Sequence, residues 1–288
     1  LTQARAFQLL LVAVVLFGAI WPITKHALAD STAMWFGFWR AALAGCTCAV
    51  IMAALGRLRL PARSDLPAMV SLGTLQIGAF FAFTHAAVAM IPAGRTAILS
   101  NVTIFWLVPL SVWLLAERVS PLRWVAAGVG LLGVAVMMGP WALDWSAPGV
   151  LLGHLLLLAA SLAWSVTIIV LRLRPPSAPM VELLPGAFLI GALIVGAVGW
   201  VLEPEGGVGP SAWPVVVLIG AVAAPIGTWA MAESTRHLNA VVSSLGVLLA
   251  PVVGVALATL WLHEPLGLDL LSGGVLIVVS VLLATLRR

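Results

Sequence analysis

The chain has 288 residues, of which 62% are hydrophobic, with 14 basic and 10 acidic side chains and a formal net charge of +4. Soluble domains carry about 25% charged residues. At 8% this chain cannot keep its surface wet, because apolar atoms already dominate ordinary protein surfaces; a soluble enzyme and a disordered chain are excluded, and integral membrane protein is the class.

The apolar runs are continuous rather than alternating, which argues against a β-barrel. At about 20 apolar residues per crossing there is room for roughly ten helical spans. Read between turn and charge signals, they fall at 6–28, 33–55, 67–90, 93–116, 121–139, 148–171, 180–202, 212–233, 238–262 and 267–286.

In the first span Arg5 precedes an apolar run like a secretory leader, but the run feeds directly into the next span and reads as a retained helix. Trp21 lies near its end, and Lys25 can snorkel to the outer surface. The second span holds Cys46 and Cys48, whose spacing points them to different faces, so they read as packing residues rather than a disulfide or metal pair. It also holds Arg40, a charge at membrane depth that needs a partner. A structural or gating ion pair is the first expectation for it, ahead of a substrate carboxylate site.

In the third span Gln76, Phe80 and Phe83 sit at i, i+4 and i+7. An amide and two rings on one face can bond an amino or carboxylate group and hold an aromatic side chain; interhelical bonding and ordinary packing are the plainer alternative. His85 follows as the histidine placed inside the membrane. The fourth span carries Asn101 between Ser100 and Thr103. In the fifth, Gly128-Val-Gly-Leu-Leu-Gly133 has dinucleotide-binding spacing, yet it lies within an apolar span, where small residues pack helices.

Trp164 in the sixth span corresponds to Trp21, each followed three residues on by a threonine, and the pair can wall a cavity from two sides. Trp145, Trp200 and Trp213, near helix ends, fit an interfacial belt. Glu233 ends the eighth span, and either it or His85 can carry a coupling proton. Ser243 and Ser244 in the ninth are polar lining candidates. His263-Glu264 opens like a zinc-protease motif, but Gly267 stands where the second histidine belongs. Pro109, Pro185, Pro225 and Pro251 interrupt spans and allow kinks.

Of the 14 basic residues, 11 fall at one set of span ends: Arg5, Arg57, Arg59, Arg63, Arg118, Arg123, Arg172, Arg174, Arg236, Arg287 and Arg288. That bias puts both termini in the cytoplasm. The basic balance is then a topology signal and not a nucleic-acid footprint.

The chain also repeats weakly. An offset of 147 aligns Gly73 with Gly220, Ala93 with Ala240 and Glu117 with Glu264, and an offset of 143 aligns Trp21-Pro-Ile-Thr24 with Trp164-Ser-Val-Thr167. Five spans per half is odd, so residues 145–288 are expected to enter the membrane upside down relative to 1–144. Inverted repeats mark secondary transporters, whose site lies at the repeat interface.

Trp21-Pro-Ile-Thr-Lys25 resembles the opening-helix motif of the EamA family of the drug/metabolite transporter superfamily, and Phe38-Trp-Arg-Ala-Ala42 resembles its second-helix arginine motif. Leu249-Ala-Pro251, Trp261-Leu-His-Glu264 and Ser272-Gly-Gly274 resemble its closing Pro…Glu…Gly pattern. Glu117, Gly128 and Gly133 repeat part of it, with Ile104 in place of the proline. Within the family the chain is most similar to the YddG-type exporters of aromatic amino acids. The resemblance implies an all-α integral membrane fold, ten transmembrane helices as two inverted five-helix repeats around a central cavity, working by alternating access in the bacterial inner membrane.

The substrate-binding expectation is therefore Trp21, Gln76, Phe80, Phe83, Asn101, Trp164, Ser243 and Ser244, with His85, Glu233 and Arg40 for coupling or gating. No metal, cofactor or catalytic group is expected; the partners are a small-molecule substrate and membrane lipid, with protons the candidate coupling ion and facilitated diffusion the alternative. A near-neutral lining suits a zwitterion with an apolar side chain and not a phosphorylated sugar, which wants fixed cations. Export of other metabolites or lipophilic drugs is the alternative, ahead of an intramembrane enzyme or a channel.

Overall fold

Long apolar stretches fold as helices in a membrane because each backbone polar group is then satisfied within its own segment. The structure, a computed structural model, describes residues 2–116, 118–138, 147–238 and 249–285. The helices are α1 (Gln3–Ala27), α2 (Ala33–Ala54), α3 (Leu66–Met90), α4 (Ala93–Leu99), α5 (Thr103–Leu115), α6 (Pro121–Met137), α7 (Val150–Leu173), α8 (Met180–Leu202), α9 (213–237), α10 (Leu249–Leu262) and α11 (Leu268–Thr285). Among the described residues the only extended pairing is an isolated bridge between Ser31 and Val208.

Six helices are long and apolar enough to cross a membrane: α1, α2, α3, α7, α8 and the Trp213–Met231 part of α9. Four further apolar helices run only 10–17 residues. The described helices thus give six of spanning length where ten were expected. One reason is visible at 93–116, read above as a single span. There Asn101 Nδ2 donates to the carbonyl of Ala97 at 2.8 Å, the acceptor its own backbone N–H would use in a continuing helix, and that N–H turns back to Ile98 instead. A side chain competing for the i−4 carbonyl in this way interrupts the ladder, and α4 and α5 result. Residues 239–248 of the ninth expected span, with Ser243 and Ser244, lie outside the described residues, as does Trp145.

Without a hydrophobic drive between helices in lipid, close packing rests on small residues. A Cβ on Gly18 of α1 would stand 2.6 Å from the Ala250 carbonyl oxygen of α10, and one on Gly133 of α6 2.8 Å from that of Gly273 in α11. The Gly128–Gly133 stretch is thus a packing surface at Gly133, while Gly128 faces open space. Two contacts correspond at an offset of 147. A Cβ on Gly73 of α3 would meet the Ala187 carbonyl and Ile190 of α8, and one on Gly220 of α9 the Arg40 carbonyl and Leu43 of α2. These two glycine-bearing helices also share a change of pitch, with π-helical segments at Leu72–Ala79 and Leu218–Ala223.

Polar side chains fasten the helix ends. The Glu264 carboxylate accepts from the N–H groups of Ala93 and Gly94 at 2.7 and 2.9 Å, capping α4, and Glu203 accepts from Met34 N–H near the start of α2. Both acids sit where free N–H groups and the helix dipole favour negative charge. Lys25 Nζ donates to the carbonyls of Val88, Ala89 and Ile91, capping the end of α3. Arg57 pairs with Glu182 at 2.6 Å.

Two carboxylate–serine brackets tie helix starts together. Asp65, before α3, accepts from Ser177 N–H at 2.7 Å and from its hydroxyl; Asp30, before α2, accepts from Ser211 N–H at 2.9 Å and from its hydroxyl. Both carboxyls are held below the usual carboxylate range, Asp65 chiefly by the backbone N–H of Ser177 and Asp30 chiefly by the Ser211 hydroxyl. A carboxylate depressed in the folded state stabilises fully above its unfolded pKa and loses that contribution as pH falls through the folded value. The thermal midpoint should therefore hold level through neutrality and fall below about pH 4. Asp65→Asn should flatten that acid limb; an unchanged limb in the variant contradicts the assignment.

Candidate substrate site

α1, α3 and α7 bring three aromatic side chains together. The Phe80 ring stands edge-on to Trp164 at 4.9 Å between centroids and edge-on to Trp21 at 6.4 Å. Trp21 and Phe80 are buried and Trp164 is half-buried. Phe80 begins the α-helical part of α3 immediately after the π segment; such changes of pitch often mark functional positions. One turn beyond Trp21, the buried Thr24 hydroxyl has no hydrogen-bond partner.

Phe81 extends the group toward α2. Arg40 Cζ lies 4.3 Å from the Phe81 ring centroid, in cation–π contact. Arg40 Nη1 and His85 Nε2 are 3.3 Å apart, and His85 Nδ1 is 2.6 Å from the Phe81 carbonyl oxygen. A carbonyl only accepts, so the His85 proton sits on Nδ1; a guanidinium only donates, so Nε2 accepts. His85 is therefore the neutral Nδ1–H tautomer here. The ion pair expected for Arg40 is not what the structure holds: its partners are a neutral imidazole and a ring, and no carboxylate pairs with it among the described residues.

The other expected residues are placed differently. Gln76 lies within the π segment, half-buried, and Phe83 is half-buried against the core. Asn101 is exposed and turned onto Ala97, so it serves the helix break and not the aromatic group. Glu233 accepts from or faces His237 Nε2 at 3.1 Å and borders an open groove of about 500 Å³ with Arg5, Gln8, Leu9, Val12 and Trp229. That groove is at the start of α1, some 13 residues or about 20 Å along the helix from Trp21. Among the belt candidates Trp200 is 74% exposed, but Trp213 packs on Trp39 at 5.2 Å.

Sequence reasoning missed Phe81, whose one signal was its i, i+4 relation to His85. It also missed His154, a second fully buried histidine, whose Nδ1 is 2.7 Å from the Val150 carbonyl. Ser161 was missed too; its hydroxyl accepts from Trp106 Nε1 at 2.9 Å.

The model of the EamA-like transporter family matches residues 5–139 and residues 151–286. The chain is similar to the uncharacterized transporter YvbV of Bacillus subtilis, 24% identical over 293 residues covering 100% of this chain and 93% of that protein. In fold it is similar to a solved crystal structure of a protein, with a TM-score of 0.68 at 21% identity over 99% of this chain and 97% of the other.

Proposed function

This chain belongs to the EamA-like transporter family, and from that premise we propose that the membrane transporter it forms exports aromatic and other hydrophobic amino acids by alternating access, as YddG-type exporters do. The observation that carries the substrate class is the ring group Trp21, Phe80 and Trp164, drawn from three helices and edge-on to one another. Edge-on rings leave faces that a further ring can occupy, and such contacts contribute about 0.5–1.5 kcal/mol each beyond area burial. Gln76 and the Thr24 hydroxyl are the uncharged polar groups proposed for the amino end of the solute, with Phe83 completing the apolar wall. Ser243 and Ser244 remain candidates from the opposite half.

In the same reading residues 1–144 and 145–288 are two five-helix halves inserted in opposite senses. Two family matches of similar length support it. So do the paired π segments and the Gly73 and Gly220 contacts at an offset of 147. The carboxylate–serine brackets add to this, since Asp30 and Ser177 are 147 apart and Asp65 and Ser211 are 146 apart. The charge bias supports a cytoplasmic side for the arginine-rich helix ends.

Reconstituted protein in proteoliposomes should exchange radiolabelled phenylalanine or tryptophan, and Trp164→Ala or Phe80→Ala should lower the initial rate roughly tenfold, the equivalent of about 1.4 kcal/mol. Neutral and cationic dyes should not compete; competition by them would favour a drug exporter. No flux of any aromatic amino acid would sink the substrate assignment.

A further inference from the structure

Arg40 is 6% exposed within α2, a helix long and apolar enough to cross the membrane. Of its five N–H donors, those of Nη1 face His85, and the flat face of the group rests on Phe81. Neither neighbour cancels the charge. Among the described residues Nε has no hydrogen-bond partner, and the one hydrogen bond of the guanidinium is that of Nη1 to His85. In a guanidinium Nε–H and one Nη2–H lie parallel on one edge, the fork that grips a carboxylate bidentately. His85 takes the other nitrogen, and among the described residues no carboxylate takes this fork.

A buried charge without an opposite partner is strongly unfavourable in an apolar surround. Bundles keep such a group where a counter-ion arrives with function. Phe81, under the guanidinium, lies 6.4 Å between ring centroids from Phe80, whose ring is edge-on to both Trp21 and Trp164. A solute whose ring enters the aromatic group can therefore present an acid group to α2.

We infer that the Nε–Nη2 edge of Arg40 anchors the carboxylate of the transported solute, with His85 as a positioning residue that holds Nη1 and turns the free edge toward it. The inference rests on the amino-acid reading above but asks only for a carboxylate, so the two can fail separately. Nε is enclosed in this conformation, so the anchor requires the alternating-access movement proposed above.

The test is ligand binding to the purified full-length protein in detergent, read by tryptophan fluorescence and thermal shift. Two matched pairs are compared: phenylalanine against phenylalaninamide, and 3-phenylpropionate against phenethylamine. In the wild type the carboxylate member should bind at least about tenfold tighter in each pair. In Arg40→Met the ratio should fall to about one while the amide and amine keep their affinity, and Arg40→Lys should keep part of the preference but less of it. A wild-type protein that treats the pair members alike overturns the anchor, and this comparison needs no variant to fold. A folded Arg40→Met protein with the wild-type ratio overturns it as well. If aliphatic carboxylates bind as tightly as aromatic ones and do so through Arg40, the anchor stands and the aromatic substrate class falls.

Discussion

Asp269→Leu should lower the unfolding free energy by about 3–5 kcal/mol, the usual penalty for removing one partner of a buried ion pair. Asp269 lies in the first turn of α11 and pairs with Arg95 of α4, a side chain only 7% exposed that also donates to the Met137 carbonyl of α6 at 2.6 Å. The single change removes the carboxylate that faces a guanidinium held among three helices. The Arg95→Met, Asp269→Leu double variant should recover most of the loss, because an apolar pair of similar volume is often as stable as the ions it replaces. Equilibrium unfolding in mixed micelles with the double-mutant cycle gives the coupling. A single-variant effect under about 0.5 kcal/mol would mean that the pair is solvated and does not join the helices.

The same pair shows which parts of the molecule could be read from the chain alone. Arg95 and Asp269 stand near the starts of the expected spans 93–116 and 267–286, yet nothing near either names the other, 174 positions away. The spans were readable where apolar runs meet charges or turn residues: 33–55 and 180–202 correspond closely to Ala33–Ala54 and Met180–Leu202. Hydropathy has no term for a side chain that steals its own helix's acceptor, so the break at Asn101 was hidden. The π segments were hidden too, since an extra residue in a turn leaves no trace in composition.

At the candidate site the sequence pointed to Trp21 and Trp164 through their shared offset, and the structure sets both against Phe80. Arg40 was recognisable as a charge out of place. Its partner was not, because a neutral histidine 45 residues on carries no charge signal. Phe81 had only its i, i+4 relation to His85 to set it apart, and the fold puts a guanidinium over its ring. The roles of Glu203 and Glu264 as helix caps join chain segments about 170 residues apart, which no local pattern shows.

Gly73→Ala and Gly220→Ala should each destabilise the protein by about 1–3 kcal/mol, the range for forcing an extra methyl into a packed interface, and by similar amounts. At Gly73 the new Cβ would lie 2.6 Å from Ile190 Cβ and 2.9 Å from the Ala187 carbonyl oxygen; at Gly220 it would lie 2.7 Å from the Arg40 carbonyl oxygen and 3.1 Å from Leu43 Cβ. Backbone oxygens cannot swing aside as a side-chain tip can, so in both cases the helices must part. Gly128→Ala is the control, because its Cβ meets nothing within 4 Å; it should be neutral or stabilising by up to about 1 kcal/mol through helix propensity. The two damaging variants should differ in one respect. Gly220→Ala pushes on the α2 backbone at Arg40 itself, so it should also weaken discrimination between a carboxylate solute and its amide, whereas Gly73→Ala acts on α8 and should leave that ratio unchanged. Thermal midpoints and the matched-ligand ratio, measured on the same preparations, separate the two effects. Equal loss of the ratio in both variants would show that the α3–α8 and α2–α9 contacts control the site as one unit, and that Arg40 is not where the difference arises.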